Sequence, residues 1–263
     1  MQRYFLELAY NGVQYFGWQR QPEQITVQEK IEHALSTILG QKIEISGCGR
    51  TDTGVHAKQY YAHFNFSGEF PEQFVRRLNK FLPKDIAIHQ LFPVHWDAHT
   101  RFDAYHRSYE YHINFQKNPF EIQTSYQYTY PVWPDLDKMQ QAARLIMHYE
   151  AFFPFCKTNH NAKTLICEMK RSEWIFDEEG QRIVYHISAN RFLRGMVRLL
   201  VGMCLNVGLD KISIDEVKQA LDQQTRLRRS TSAPPHGLYL TDIRYPYIKN
   251  GLYERPEGHP EEE

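Results

Sequence analysis

Four cysteines in 263 residues, none in a Cys-x-x-Cys pair, leave the chain short of what a disulfide framework or a structural zinc site requires. Cys156, His160 and Cys167 come nearest to a ligand set, but their spacing fits none of the usual four-ligand patterns. Free thiols in a reducing compartment, and no metal, are the expectation. No apolar run approaches the length of a membrane span. The opening Met1-Gln2-Arg3-Tyr4 lacks an apolar signal region, so a cytoplasmic protein with no membrane partner is expected. Net charge is missing as well: 31 Lys and Arg balance 31 Asp and Glu. Overall charge is therefore a mild argument against nonspecific nucleic-acid binding, which draws on Lys and Arg displacing counterions. The balance is uneven along the chain, because Glu254 to Glu263 holds five Glu and one Arg, leaving the remainder positive by four.

What is present is an ordinary globular composition, 42% hydrophobic and 24% charged, with 17 Tyr and 16 Phe. Such rings suit a sheet-rich core and equally suit stacking on bases. Tyr4, Leu6, Leu8 and Tyr10 alternate over 3–10 before Asn11-Gly12, which reads as a strand and a turn. Thr26-Val27-Gln28-Glu29 reads as a capping box opening a helix through Ile31, Ala34, Leu35 and Ile38, closed by Gly40. A short strand at 42–46, a loop, and an alternating strand at 59–66 follow. Pro71 is expected to open a second helix that Pro83 stops, before a strand at 85–92. The order β-α-β-β-α-β is that of a ferredoxin-like unit with an antiparallel sheet.

The second half is of similar kind. A strand at 104–115, a helix from Leu136 to Tyr149, a hairpin of 163–176 and 182–189 about Asp177-Glu178-Glu179-Gly180, and a long helix over 191–206 are predicted. Ser213-Ile214-Asp215-Glu216 caps a further helix, and 238–245 reads as a last strand. The expectation is an α+β fold of two ferredoxin-like (RRM-like) domains, 1–103 and 104–248, sharing an extended, mostly antiparallel sheet. A mobile acidic tail over 249–263 completes it.

Residues 47–57, Gly-Cys-Gly-Arg-Thr-Asp-Thr-Gly-Val-His-Ala, place one carboxylate, Asp52, among small residues that let the backbone turn sharply and a substrate approach closely. A lone Asp-x-Gly is usually a turn and nothing more. Glycosidases need a second acid flanking the bond, and none lies in this loop. His56 and His63 do not make a zinc site. One ionised Asp acting as a nucleophile on carbon remains, and a cation such as Arg50 would keep it charged and oriented. Arg191, Arg194 and Arg198, at i, i+3 and i+7 of the predicted long helix, would share one face opposite Leu193, Val197, Leu200, Val201 and Cys204. Such a face is commonly just solvated, but without intervening acids it is also a plausible phosphate-binding stripe and offers an Asp partner. Residues 99–111 alternate cations and aromatics, including Arg101, Arg107, Tyr109 and Tyr111. A base could stack on such a ring, although a tyrosine in a sheet core is the commoner arrangement.

Arg50-Thr51-Asp52-x-Gly54-Val55-His56-Ala57 resembles the active-site loop of the TruA family of tRNA pseudouridine synthases. The resemblance runs from about residue 3 to 246, through Tyr15-Phe16-Gly17-Trp18-Gln19-Arg20-Gln21, Thr26-Val27-Gln28-Glu29, His99-Thr100-Arg101-Phe102, Arg107-Ser108-Tyr109-Glu110-Tyr111, Asn190 to Gly202, and Gly237-Leu238-Tyr239-Leu240. It implies a pseudouridine synthase fold with Asp52 as catalytic aspartate, Tyr109 as active-site tyrosine and Arg198 as the ion-pair partner of Asp52. Arg50 is implied as an RNA-contacting neighbour, and Arg101, Arg107, Arg191 and Arg194 are expected along the RNA backbone. The implied activity is isomerisation of uridine to pseudouridine at positions 38, 39 and 40 of the tRNA anticodon stem-loop, by a homodimer, without cofactor or metal. Two alternatives stand beside it. A non-catalytic RNA-binding protein of two RRM-like domains would show the aromatic strand signature of that module, which the chain lacks. A small-molecule hydrolase using Asp52 is disfavoured by the missing second acid.

Overall fold

The computed structural model describes residues 1–157, 164–177, 181–249 and 251–256. The turn expected after Asp177 and His160 of the tentative zinc set lie outside the described residues, as does the acidic end from 257. In chain order the elements are β1 (Gln2–Tyr10), α1 (Val27–Leu39), β2 (Ser46–Gly47), β3 (His56–Phe66), α2 (Phe74–Phe81), β4 (Ile86–Val94) and β5 (His106–Asn114). Then come β6 (Tyr126–Gln127), α3 (Leu136–Leu145), β7 (Met169–Phe176), β8 (Arg182–Ala189), α4 (Met196–Gly208), α5 (Ile214–Asp222), β9 (Leu238–Arg244), β10 (Ile248–Lys249) and β11 (Leu252–Tyr253). The fold is mixed α+β with mostly antiparallel strands. It divides into two compact units, Met1–His106 with Leu240–Glu263, and Arg107–Tyr239. The last strand is therefore assigned from Leu240 onward to the first unit rather than to the second half.

In the first unit β1 lies between β4 and β3, antiparallel to both, and β2 pairs β3 through Ser46 opposite His63. Helix α1 starts where Thr26 accepts a hydrogen bond from the Glu29 N–H and stops at Gly40, whose φ of 69° suits a residue without a side chain. The strand expected at 42–46 reduces to Ser46–Gly47. The Ile43 N–H donates to Ser36 Oγ and the Ile45 N–H to Glu32 Oε1, so helix side chains take the donors a strand neighbour would use. Helix α2 opens at Phe74, three residues beyond Pro71, because Gln73 adopts a left-handed conformation at φ 54°. The alternation expected along 59–66 is covered on both faces, since Tyr61 and His63 are buried beside Phe5 and Tyr245. Near the end of the described chain β11 pairs β10, and the Tyr253 hydroxyl lies 3.0 Å from His95 Nδ1.

In the second unit β8 lies between β5 and β7, antiparallel to both, and the expected hairpin strands pair to Phe176 opposite Ile183. Helices α3 and α4 pack together, where a side chain on Gly208 would meet Met139 Cγ at 2.8 Å. Helix α3 ends at Leu145 and the chain runs on to His148 in a tighter turn. Helix α5 carries the expected capping box, Ser213 and Glu216 satisfying each other's backbone. Its neighbour α4 is the principal departure. It begins at Met196, not 191, because Gly195 stands at φ 72°, a left-handed conformation no helix interior accommodates. Gly208 belongs to the helix rather than lying beyond it. No helix among the described residues is long and apolar enough to cross a membrane.

Candidate active site

The loop carrying Asp52 joins β2 to β3 and is tied down at nearly every residue. The Cys48 N–H donates to Tyr61 O at 2.8 Å, the buried Tyr60 hydroxyl donates to the Gly49 carbonyl, and the Tyr10 hydroxyl lies 2.8 Å from Thr51 Oγ1. Asp52-Thr53-Gly54-Val55 closes as a β-turn: the Val55 N–H donates to Asp52 O at 3.2 Å, and Gly54 takes φ 77° at the third position. A turn is thus present, as any Asp-x-Gly suggests, but this one is gripped from outside. The Gly54 N–H donates to Tyr15 O and the Trp18 N–H to Thr51 O. Gly17 between them stands at φ 85°, where a Cβ would lie 2.4 Å from Thr51 O and 3.2 Å from the Asp52 carbonyl carbon. The aromatic loop Tyr15–Trp18 is therefore a backing plate for the Asp52 turn.

Within that plate the rings divide. Trp18 is buried and stacks on Tyr60 at 4.0 Å between centroids, over Gly47, where any side chain would strike both rings. Such a stack contributes about 0.5–1.5 kcal/mol beyond its buried area. Phe16 remains 48% exposed. Asp52 is half-buried and Arg50 exposed. His56, buried, accepts the Gly12 N–H at Nδ1, so its ring proton is assigned to Nε2. Arg101, also of the first unit, is exposed with its guanidinium 5.5 Å above the equally exposed ring of Phe102. The backbone beneath it is fixed: the His99 N–H donates to Asp103 Oδ2, and Thr100 Oγ1 bonds Ser46 O and lies 2.8 Å from His63 Nδ1. Burial, aided by His99 and Arg3, holds His63 uncharged, its pKa pushed down to about 3.

The second unit holds the other residues singled out. Tyr109 on β5 is half-buried with its ring edge-on to Phe192 at 5.2 Å, whereas Tyr111, two residues on, is wholly buried and donates its hydroxyl to Pro234 O. Arg107 Nη1 donates to the Asn190 carbonyl at 3.0 Å. The three-arginine helix face does not exist. Arg191 and Arg194 precede α4, in the segment that Gly195 separates from it, and only Arg198 is helical. Arg194 is exposed, Arg191 and Arg198 half-buried. The predicted opposite face holds, with Leu193, Val197, Leu200, Val201 and Cys204 all buried. Arg198 is fixed from the 233–236 segment: its Nε donates to Ala233 O at 2.7 Å while the Ala233 N–H donates to Arg198 O. That uses one guanidinium N–H. The His236 pKa is lowered first by burial and then by Arg198.

Residue periodicity alone missed Tyr10, Phe192 and His236. Tyr10 reads as one more inward strand residue, Phe192 as part of a helix that has not begun, and His236 as a loop residue between Pro235 and Gly237. The only signal was local: Gly17 amid aromatics and Gly237 before a strand, both marking close backbone approach. Among the described residues no group of three or more His, Cys, Asp or Glu comes together as a metal site.

Comparison with known proteins supplies the rest. A family described as tRNA pseudouridine synthase matches residues 8–103 and 148–246. The tRNA pseudouridine synthase A of Bacteroides fragilis is 43% identical over 248 residues, 94% of this chain and 97% of that protein. That of Porphyromonas gingivalis is 41% identical over 94% of this chain and 98% of its own, and that of Caldicellulosiruptor bescii 35% identical over 93% and 100%.

Proposed function

The chain belongs to the tRNA pseudouridine synthase family, isomerases that act on tRNA, and from that premise we propose that Asp52 is its nucleophile. In this reading the target uridine leaves the stack and enters a pocket where the ionised Asp52 carboxylate attacks it. The bond from ribose to the ring nitrogen breaks, the detached uracil turns, and a carbon of the ring bonds the ribose in its place. The bond to Asp52 breaks, the ring carbon gives up its proton and the freed ring nitrogen takes one, so the product has the atoms of the substrate. Attack at the anomeric carbon and attack at carbon 6 of the ring call on the same carboxylate. No cofactor or metal takes part.

Tyr109 is assigned to the base and Arg198 to the carboxylate. An Arg partner offsets the cost of desolvating an Asp and aims its oxygens. Arg50, Arg101, Arg107, Arg191 and Arg194 are assigned to the RNA backbone. The target is placed in the anticodon stem-loop, at positions 38, 39 and 40. The protein acts as a homodimer in the cytoplasm, which the four free, buried cysteines suit. Each unit is read as ferredoxin-like. The pairing of β1 with β4 and β3 and of the short β2 with β3 supports this in the first, as does the sequence of strands and helices in the second. The domain limits near 103 and 248 belong to the same reading, with the first unit extended by the chain from Leu240.

The observation that carries the proposal is the grip on the Asp52 turn. Backbone and side chains from three separate segments fix a loop that would otherwise be an ordinary surface turn. A non-catalytic RNA-binding protein has no use for that expense of structure, and the curated relatives are enzymes by name. The test is incubation of the purified protein with uridine-labelled tRNA, followed by nucleoside analysis and mapping of the modified positions. Pseudouridine confined to the three positions is expected. Its absence, or full turnover by Asp52→Ala, overturns the reading.

A further inference from the structure

We propose that Gln28, with Glu32 one turn further along α1, is a positioning residue for Asp52: it clamps the loop that backs the Asp52 turn to the strand that leads into it. The inference rests on the functional reading above, in which Asp52 does the chemistry. Helix α1 meets the backing loop first through its main chain. The Val27 N–H donates to Gly17 O at 3.3 Å and the Gln28 N–H to Trp18 O at 3.1 Å. Donors that a helix start leaves unpaired thus hold the two residues that lie against Thr51 and Asp52. The Gln28 side chain then reaches in both directions. Its Oε1 accepts from Gln19 Nε2 at 2.8 Å and from the Arg20 N–H at 2.9 Å. Its Nε2 donates to Ile45 O at 3.0 Å and to Glu32 Oε1 at 2.9 Å. Glu32 Oε1 also accepts the Ile45 N–H at 3.1 Å, so both main-chain groups of Ile45 are held by α1 just before β2 and the Asp52 loop begin.

The chemistry of the position calls for this residue type. An N–H can only donate and a carbonyl only accept, so Arg20 on one side and Ile45 on the other fix the amide one way round and need both of its ends. Glu has no donor, Leu has neither function, and Asn is one methylene short of the span. Gln28 and Glu32 are both buried, so a bond left unmade here is not replaced by water. The Glu32 carboxylate is offset in turn by Arg20 Nη1, 3.4 Å from its Oε2. Neither Gln28 nor Glu32 is given a contact with RNA; they act through the backbone that brackets Asp52. A reacting group displaced by about 1 Å costs on the order of a hundredfold in rate. Affinity is spread over several assigned arginines and is less exposed to such a shift.

The experiment measures the dissociation constant for an unmodified tRNA transcript and the single-turnover rate at saturating transcript. The full chain is compared as wild type, Gln28→Met, Glu32→Met and Glu32→Gln, each well below its thermal midpoint. The two Met variants fill the space without the hydrogen bonds, and each is expected to lose about tenfold in rate with affinity held within about twofold. Glu32→Gln keeps an acceptor for the Ile45 N–H and is expected to recover most of what Glu32→Met loses. A merely structural role would lower the midpoint and leave the rate of the folded enzyme where it was. If Gln28→Met does not fold, Gln28→Asn takes its place, since it keeps an amide but cannot span Arg20 and Ile45, and the same fall is expected. A wild-type rate in the Gln28 variant, a loss of affinity alone, or Glu32→Gln as slow as Glu32→Met overturns the inference, and pseudouridine made by wild type then leaves the functional reading standing. If wild type makes no pseudouridine, the functional reading falls, and this inference with it.

Discussion

Arg191 and Arg198 carry the same charge in different settings, and the difference predicts different failures. Arg198 is helical, half-buried and held by Ala233 O through Nε. Given the proposed pairing with Asp52, Arg198→Ala leaves a carboxylate desolvated and unpaired, which raises its pKa and frees its oxygens to misorient. Single-turnover rates at saturating tRNA are expected to collapse, by about a hundredfold or more, while binding survives. Arg191→Ala is expected to weaken affinity and leave that rate near wild type. An Arg198→Ala protein that loses only affinity refutes the pairing. Asp52 itself was legible because its whole loop is a contiguous word of the sequence. The arginine face was not. Periodicity predicts one helix through 191–206, and nothing in hydrophobic spacing announces that Gly195 adopts φ 72°.

Elements transmit these placements, and the Asp52 turn depends on a neighbour that periodicity treats as an unrelated loop. Gly17 is constrained twice, by φ 85° and by the 2.4 Å that would separate a Cβ from Thr51 O. Gly17→Ala must either push the aromatic loop away or displace the Thr51–Asp52 backbone. Stability is expected to fall by about 1–3 kcal/mol. The rate constant for chemistry is expected to fall more than tRNA affinity, because of the five arginines assigned to RNA only Arg50 adjoins the displaced backbone. Denaturant titration together with kcat and KM verifies both, and a variant of unchanged kcat would show that the backing plate is dispensable. Tyr10→Phe is the milder companion. It removes the 2.8 Å contact to Thr51 Oγ1 and keeps the ring, so a fall in kcat of about threefold to tenfold at constant KM is expected. Strands and helices with strong periods or caps, such as β1, α1 and α5, were legible in the sequence. The strand expected at 42–46 was not, because Ser36 and Glu32 on α1 satisfy its backbone, a long-range arrangement that no window of residues displays.

At the scale of the whole molecule, buried and half-buried histidines make folding sensitive to acid. His63 is pushed down to about 3, and burial also lowers His99, His186 and His236, so folding disfavours the charged form of histidines in both units. An unfolded histidine titrates near 6.5. Below that pH the unfolded chain binds protons that the folded chain refuses, so the stability gap narrows as pH falls. The contribution of His63 is complete above about 6.5 and is lost progressively as pH falls from there towards about 3, the interval between its unfolded and folded values. The ring is boxed in by Phe5, His99 at 4.6 Å and Thr100, so it cannot escape to water without opening this part of the core. Thermal midpoints measured across pH 4 to 8 are expected to be flat in the upper part of that range and to descend below about 6.5. His63→Gln, which cannot titrate, is expected to start from a lower midpoint at pH 8 and to descend less steeply. A variant whose midpoint falls with acid as steeply as wild type would show that His63 does not set the slope and that the other lowered histidines do.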